Sequence, residues 1–146
     1  MMRNGDSSYQ APGALVAAFY LLLIAWTAVS ILFLSAKAAR SELTDALQWL
    51  MIAAIFGFTW YFSLGLFYRI RLAPDERLHL KGVRRGRTVH PRDIETVEGP
   101  YLPIGFVRFK SGKERLYLLC QVRNADLQAI LKRMGEINPN VQFKTK

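Results

Sequence analysis

His79, His90 and Cys120 are the side chains best suited to proton transfer, metal ligation or nucleophilic attack, and Asp93, Glu95 and Glu98 are carboxylates close enough in sequence to form an acid/base pair. Their settings argue against each role. Neither histidine has a second His, Cys or carboxylate at metal-ligand spacing. His79 lies between Leu78 and Leu80 and is expected on the outer face of a strand, while His90 sits at a turn before Pro91. Cys120 shares strand parity with Leu116 and Leu118, the pattern of a small buried thiol. The three carboxylates read as a solvated strand face beside a turn. The chain has no P-loop, no Gly-x-Gly-x-x-Gly after a strand and no zinc-ligand spacing. The expectation is a non-enzyme, with no catalytic residue, no metal and no cofactor.

The elements that position any site here are set by lipid. Two runs without Asp, Glu, Lys, Arg or His, Leu15 to Leu34 and Leu47 to Tyr68, fill the first half of the chain. Roughly 20 apolar residues at about 1.5 Å rise cover the ~30 Å hydrocarbon core, so each run is long enough to cross a bilayer. The expected division is a polar N-terminal tail over 1–14, a transmembrane hairpin over 15–68 with helices at about 15–36 and 46–68, and one small domain over 69–146. Arg3 beside Asp6 is a poor basic n-region, so the first run reads as a span and not as a cleaved signal peptide. Thr44 or Asp45 is expected to cap the second helix, with Trp49 and Tyr68 at its two interfaces. Ala14/Ala18 and Ala53/Gly57 have the small-xxx-small spacing of close helix packing. Trp26, Trp60 and Tyr61 near mid-span read as packing within the hairpin and not as pigment contacts.

Charge sets the expected orientation. The 146 residues carry a net charge of +9. Residues 1–68 hold three basic and three acidic side chains against seventeen and eight in 69–146, so the whole excess lies beyond the second run. Arg69, Arg71 and Arg77 outweigh Lys37 and Arg40 of the connector, which by the positive-inside rule puts both termini in the cytoplasm of a multi-pass inner-membrane protein. A single cysteine agrees with a reducing compartment.

Beyond the second run, Tyr68, Ile70 and Leu72 alternate with Arg69 and Arg71, the period-two signature of a strand. Further strands read at Leu78 to Lys81, Arg87 to Val89, Ile94 to Val97, Gly105 to Lys110 and Glu114 to Cys120, with Ser111-Gly112-Lys113 closing a hairpin. Leu127, Ile130, Leu131 and Met134 then form one apolar helical stripe, capped by Asn124 or Asp126 and expected to end at Gly135, with Pro139 preventing resumption. Two surface features stand out. Lys81, Arg84, Arg85 and Arg87 form a basic cluster suited to anionic lipid headgroups, each worth about 1 kcal/mol at a charged membrane surface. Between Gly99 and Gly105, two prolines stiffen a loop carrying Tyr101, Leu102 and Ile104, which either folds back as a lid on its own sheet or docks on lipid or a partner subunit. The charge is not interleaved with stacking aromatics, so nucleic acid is not an expected partner.

The runs Tyr68-Arg-Ile-Arg-Leu, Leu78-His-Leu-Lys-Gly and Arg87 to Val97, with its Pro-x-Asp-Ile-x-x-Val segment, resemble the bacterial pleckstrin-homology-like family, as do Gly105 to Lys110 and the helix from Asn124. The resemblance implies a small antiparallel barrel or sheet capped by a C-terminal helix and anchored by an N-terminal two-helix hairpin, a membrane α + β architecture. It also implies a binding module without chemistry, and its basic early loop carries a headgroup role onto Lys81, Arg84, Arg85 and Arg87. The function expected is an accessory or assembly subunit of a larger bacterial membrane complex, a photosynthetic one among those the resemblance suggests. The alternative is a scaffold whose basic loop senses a specific anionic lipid.

Overall fold

The computed structural model describes residues 7–40, 46–100 and 102–145. It divides into two compact units, one formed by Pro12–Ser63 and the other by the described residues before Pro12 together with those from Leu64 onward.

The first unit is a pair of long apolar helices, α1 (Gly13–Ala39) and α2 (Ala46–Leu64). Both are long and apolar enough to cross a membrane. At ~1.5 Å per residue they reach about 40 and about 28 Å. Leucine, isoleucine and phenylalanine project all round them, as Leu22, Leu32 and Phe58 show by their exposure. The helices run antiparallel through three matched contacts. The Tyr20 hydroxyl donates to the Ser63 carbonyl at 2.7 Å, Trp60 Nε1 donates to Thr27 Oγ1 at 3.1 Å, and the rings of Trp26 and Phe56 lie 5.0 Å apart. Trp26 and Trp60 are thus packing residues, whereas Tyr61 is exposed. Ala14, Ala18, Ala53 and Gly57 are exposed too, so the small-residue rows lie outside the hairpin's own interface. The capping residues Thr44 and Asp45 fall outside the described residues.

The second unit is an open sheet with one covering helix. Its strands are β1 (Ser7–Gln10), β2 (Phe67–Leu72), β3 (Leu78–Gly82), β4 (Gly86–Val89), β5 (Thr96–Gly99), β6 (Ile104–Ser111), β7 (Glu114–Gln121) and β8 (Gln142–Thr145), with α3 (Ala125–Ile137) between the last two. The order is β4-β3-β2-β7-β6-β5-β8, and β1 also pairs with β2. Two hairpin-connected triplets, β2-β3-β4 and β5-β6-β7, are joined where β2 meets β7 in parallel at Phe67 and Leu118. β5 and β8 are also parallel, so the sheet is mixed and not purely antiparallel as expected. Parallel pairing of β5 with β8 is possible because α3 lies between them in the chain and returns it to the same end, the crossover such pairs need. At the β6–β7 turn Gly112 has φ +59°, a conformation that side chains with a Cβ rarely adopt.

Alternation along β2, β3 and β7 sends Ile70, Leu72, Leu78, Leu80, Leu116 and Leu118 inward, where Phe67, Phe109 and Val107 join them. Leu127, Ile130 and Met134 of α3 complete this core, all at 0% exposure.

Several boundaries differ from the sequence reading. The tail assigned to 1–14 contributes β1, antiparallel to β2 with Ser7 opposite Leu72 and Gln10 opposite Arg69. Tyr9 is 1% exposed, its oxygen accepts from the Gln121 amide at 2.9 Å, and burial raises its pKa above the usual tyrosine value. The second helix stops at Leu64 and not at Tyr68, because Gly65 is a poor helix former and strand alternation begins at Phe67. Tyr68 is a strand residue whose carbonyl accepts from Ala11 N at 2.7 Å. α3 runs through Gly135 to Ile137, where Asn138 takes over as C-cap. The buried Asn138 amide donates to the carbonyls of Pro91 and Ile94 at 3.1 and 2.9 Å. Gly135 instead gives room to Phe143, whose Cε2 would lie 3.3 Å from an added Cβ.

Tyr9 is the test of this arrangement. Tyr9→Ala should lower the unfolding free energy by about 3–5 kcal/mol, as large-to-small core substitutions do. Tyr9→Phe, which leaves the Gln121 N–H without its acceptor, should cost about 1–3 kcal/mol. Ser8→Ala, on the exposed side of β1, should stay within about 0.5 kcal/mol of the parent. Thermal unfolding of the purified chain ranks the three, and an unchanged Tyr9→Ala midpoint would show that β1 contributes nothing.

Candidate functional site

Apart from Asp93, the residues singled out for chemistry each have a local structural partner or a buried setting. His79 Nδ1 lies 3.0 Å from Thr88 Oγ1 on the neighbouring strand. His90 Nδ1 accepts from the Arg92 amide at 3.2 Å and so caps the short 3-10 turn Pro91–Asp93. Glu95 pairs with Lys110 at 3.4 Å, and Glu98 pairs with Arg108. That hydrogen bond from Arg108 to Glu98 raises the guanidinium pKa above its already high value. Asp93 is exposed. Cys120 is fully buried, and desolvation pushes its thiol up to about 11. Among the described residues no group of three or more His, Cys, Asp or Glu could hold a metal ion.

The basic cluster lies on the β3–β4 hairpin. Gly82 N donates to Arg85 O at 2.9 Å, closing the turn, and Arg84 N donates to Leu64 O at 3.3 Å. A Cβ on Gly82 would stand 2.5 Å from the Leu66 carbonyl oxygen, so glycine is needed for this hairpin to lie against the Leu64–Phe67 segment. Arg85 is held over the Phe67 ring, 5.7 Å from its centroid. Arg87 forms an ion pair with Glu114 at the start of β7. Lys81, Arg84, Arg85 and Arg87 are all exposed, and between Gly82 and Arg84 stands Val83, an apolar side chain 55% exposed. The sequence reading passed over Val83, although a lone valine inside a basic run was its visible signal.

The proline-stiffened loop is a separate site. Pro103 O accepts from Val122 N at 2.9 Å, and Pro100 closes on Gly105, where an added Cβ would meet its Cβ at 2.7 Å. The loop is thereby pinned at both ends, yet Leu102 is 70% and Ile104 46% exposed. Their side chains face outward and do not form a lid on the core. Tyr101 lies outside the described residues. Ile104 pairs with Gln121 at one end of the β6–β7 hairpin, whereas Ser111 pairs with Glu114 at the other, where Arg87 also attaches. The turn of the basic hairpin itself meets β7 in mid-strand, where Gly82 pairs with Phe67 and Phe67 with Leu118.

Comparison with known proteins identifies no relative: no family model matches the chain, and no curated protein or solved structure matches it.

Cys120 supplies the prediction for this region. With the thiol titrating near 11, only about one in a thousand molecules carries the reactive thiolate at pH 8, so a disulfide reagent should label it only after unfolding. The sign of the linked stability follows. The unfolded thiol ionises near 9.0, so between 9.0 and about 11 the native state binds more protons and stability falls as pH rises. Cys120→Ala should remove that share of the alkaline loss, read from unfolding midpoints across this range.

Proposed function

We propose that this chain is a two-span protein of the bacterial cytoplasmic membrane, carrying a pleckstrin-homology-like domain on the cytoplasmic side and acting without catalysis as an accessory or assembly subunit of a larger membrane complex. The strand pairing supports the topology. β1 precedes α1 and β2 follows α2, yet both belong to one sheet, which favours a hairpin crossing with both flanks on one side. Arginines 69, 71 and 77 on the domain side favour the cytoplasm for that side.

The observation that carries the subunit reading is the outward display of Leu102 and Ile104 on a loop pinned at Pro100 and Pro103. Exposed apolar groups on a preorganised loop bind with little ordering cost, which is how a docking surface differs from a mobile tip. The apolar circumference of α1 and α2 adds surface for neighbouring helices. The settings of His79, His90, Cys120 and the three carboxylates support the absence of catalysis.

A second reading rests on the basic hairpin: Val83 flanked by Arg84 and Arg85 suits a surface that senses anionic headgroups.

Purification of the tagged chain from its native membrane in mild detergent, with quantitative mass spectrometry, separates the two. The subunit reading expects a protein partner at constant ratio, lost in Leu102→Ser with Ile104→Ser while the unfolding midpoint is kept. Loss of the fold in that variant would mean the loop is core. Arg84→Ala with Arg85→Ala should leave the partner bound; recovery of the chain alone with one enriched anionic lipid, abolished by this second pair, would replace the subunit by the lipid sensor.

A further inference from the structure

An eight-stranded sheet is wider than one helix can cover, and α3 leaves part of it open. Its residues Leu127, Ile130 and Met134 are wholly buried, while the flank carrying Gln128, Leu131, Lys132 and Gly135 borders a cleft of about 370 Å³. The opposite wall comes from β5 and β8, with Val97, Phe143 and Lys144. The spacing 128, 131, 132, 135 is one helical stripe, so the cleft runs along the side of α3. Its volume falls at the small end of the ~300–1,000 Å³ of ligand sites.

Three features restrict what can fill it. The floor is apolar, and Phe143 stays 49% exposed there, beside Gly135. The charged residues bordering the cleft are Lys132 of α3 and Lys144 of β8, and strand alternation sends the Lys144 side chain to the face opposite Phe143, beside Glu98 in the parallel register. β8 is the last strand of the sheet, and its outer edge pairs with no strand among the described residues. An open edge offers main-chain donors and acceptors in register, which a peptide can use and a lipid cannot.

We infer that the α3–β8 cleft is a docking site for an extended, acidic segment of a partner protein, which adds to the edge of β8, places an apolar side chain beside Phe143 and Leu131, and sets its alternate carboxylates on the other face of the sheet, against Lys144, with Lys132 adding positive charge at the rim of the cleft. This deepens the subunit reading and rests on it for the existence of a partner. Exposed Leu102 and Ile104 on the loop after Pro100, which itself lines the cleft, extend the apolar surface beyond the cleft and give a second contact for the same partner.

The test is a titration of the isotopically labelled full chain in nanodiscs, followed by amide NMR, with an end-blocked synthetic peptide of about eight residues that alternates glutamate with leucine. Saturable shifts at Leu131, Lys132, Gly135 and Phe143 are expected. Lys132→Glu with Lys144→Glu, both at exposed positions, should weaken binding about tenfold or more and admit the lysine version of the peptide instead. The peptide methylated at alternate amide nitrogens should not bind, since it cannot pair with the edge. The inference is overturned by no saturable shift, by binding indifferent to the charge reversal, by equal binding of the methylated peptide, or by oleate occupying the cleft in preference. A stoichiometric partner from native membranes with no peptide binding would remove the cleft alone and leave the subunit reading standing.

Discussion

The antiparallel pairing of Ser7–Gln10 with Arg69–Leu72 is the constraint on which the arrangement depends. It joins residues nearly sixty positions apart, with both apolar helices looped out between them. Closing so long a loop has an entropic cost that grows only with the logarithm of its length, so a few buried contacts suffice to hold it. Tyr9 supplies them: it is wholly buried, it accepts a hydrogen bond from Gln121, and α3 packs against its strand. A further backbone bond from Ala11 to Tyr68 carries the clasp to the foot of the helices. Whatever the hairpin contacts, its two ends leave from neighbouring strands of a single sheet.

That sheet is held together by apolar alternation inside and by a modest set of ion pairs outside. Glu98–Arg108 and Arg87–Glu114 each tie one strand to another, and Glu95–Lys110 ties the segment before β5 to β6. The exposed pairs Glu95–Lys110 and Arg87–Glu114 contribute little stability, about 0–1 kcal/mol each. Their effect here is on which charges remain for other uses. Arg87 is committed to Glu114 at the start of β7. Glu98 of β5 and Glu95 just before it are paired in the same way with Arg108 and Lys110.

The sites that emerge are surfaces and not reaction centres. A basic hairpin with an exposed valine lies beside Phe67, a stiff apolar loop leads into β6, and an uncovered strip of sheet lies along α3. Each arises from a packing shortfall: a turn too tight for its side chains to fold inward, a loop pinned by prolines, and one helix on a broad sheet.

Much of this was legible in the residues. The two uncharged runs, the alternation at Tyr68 to Leu72, the glycine turn at Gly112 and the α3 stripe are local patterns whose periods report local geometry directly. The asymmetry of charge between the two halves was equally plain. The N-terminal strand was not legible as one, because four residues of mixed polarity carry no periodic signal and the partner of Tyr9 lies 112 positions away. Val141-Gln-Phe-Lys does alternate, but its role as a strand depends on β5 being there to receive it. Gly135 looked like a helix stop, and only the approach of Phe143 explains it otherwise. Sequence by itself therefore determined the two long helices, the α3 stripe, the strands with a clear period and where the charge lies, since those follow from neighbours a few residues apart. Tertiary structure decided which strands meet, which arginine is spent on Glu114, and which apolar surface stays uncovered, since those depend on contacts between residues that only the fold brings together.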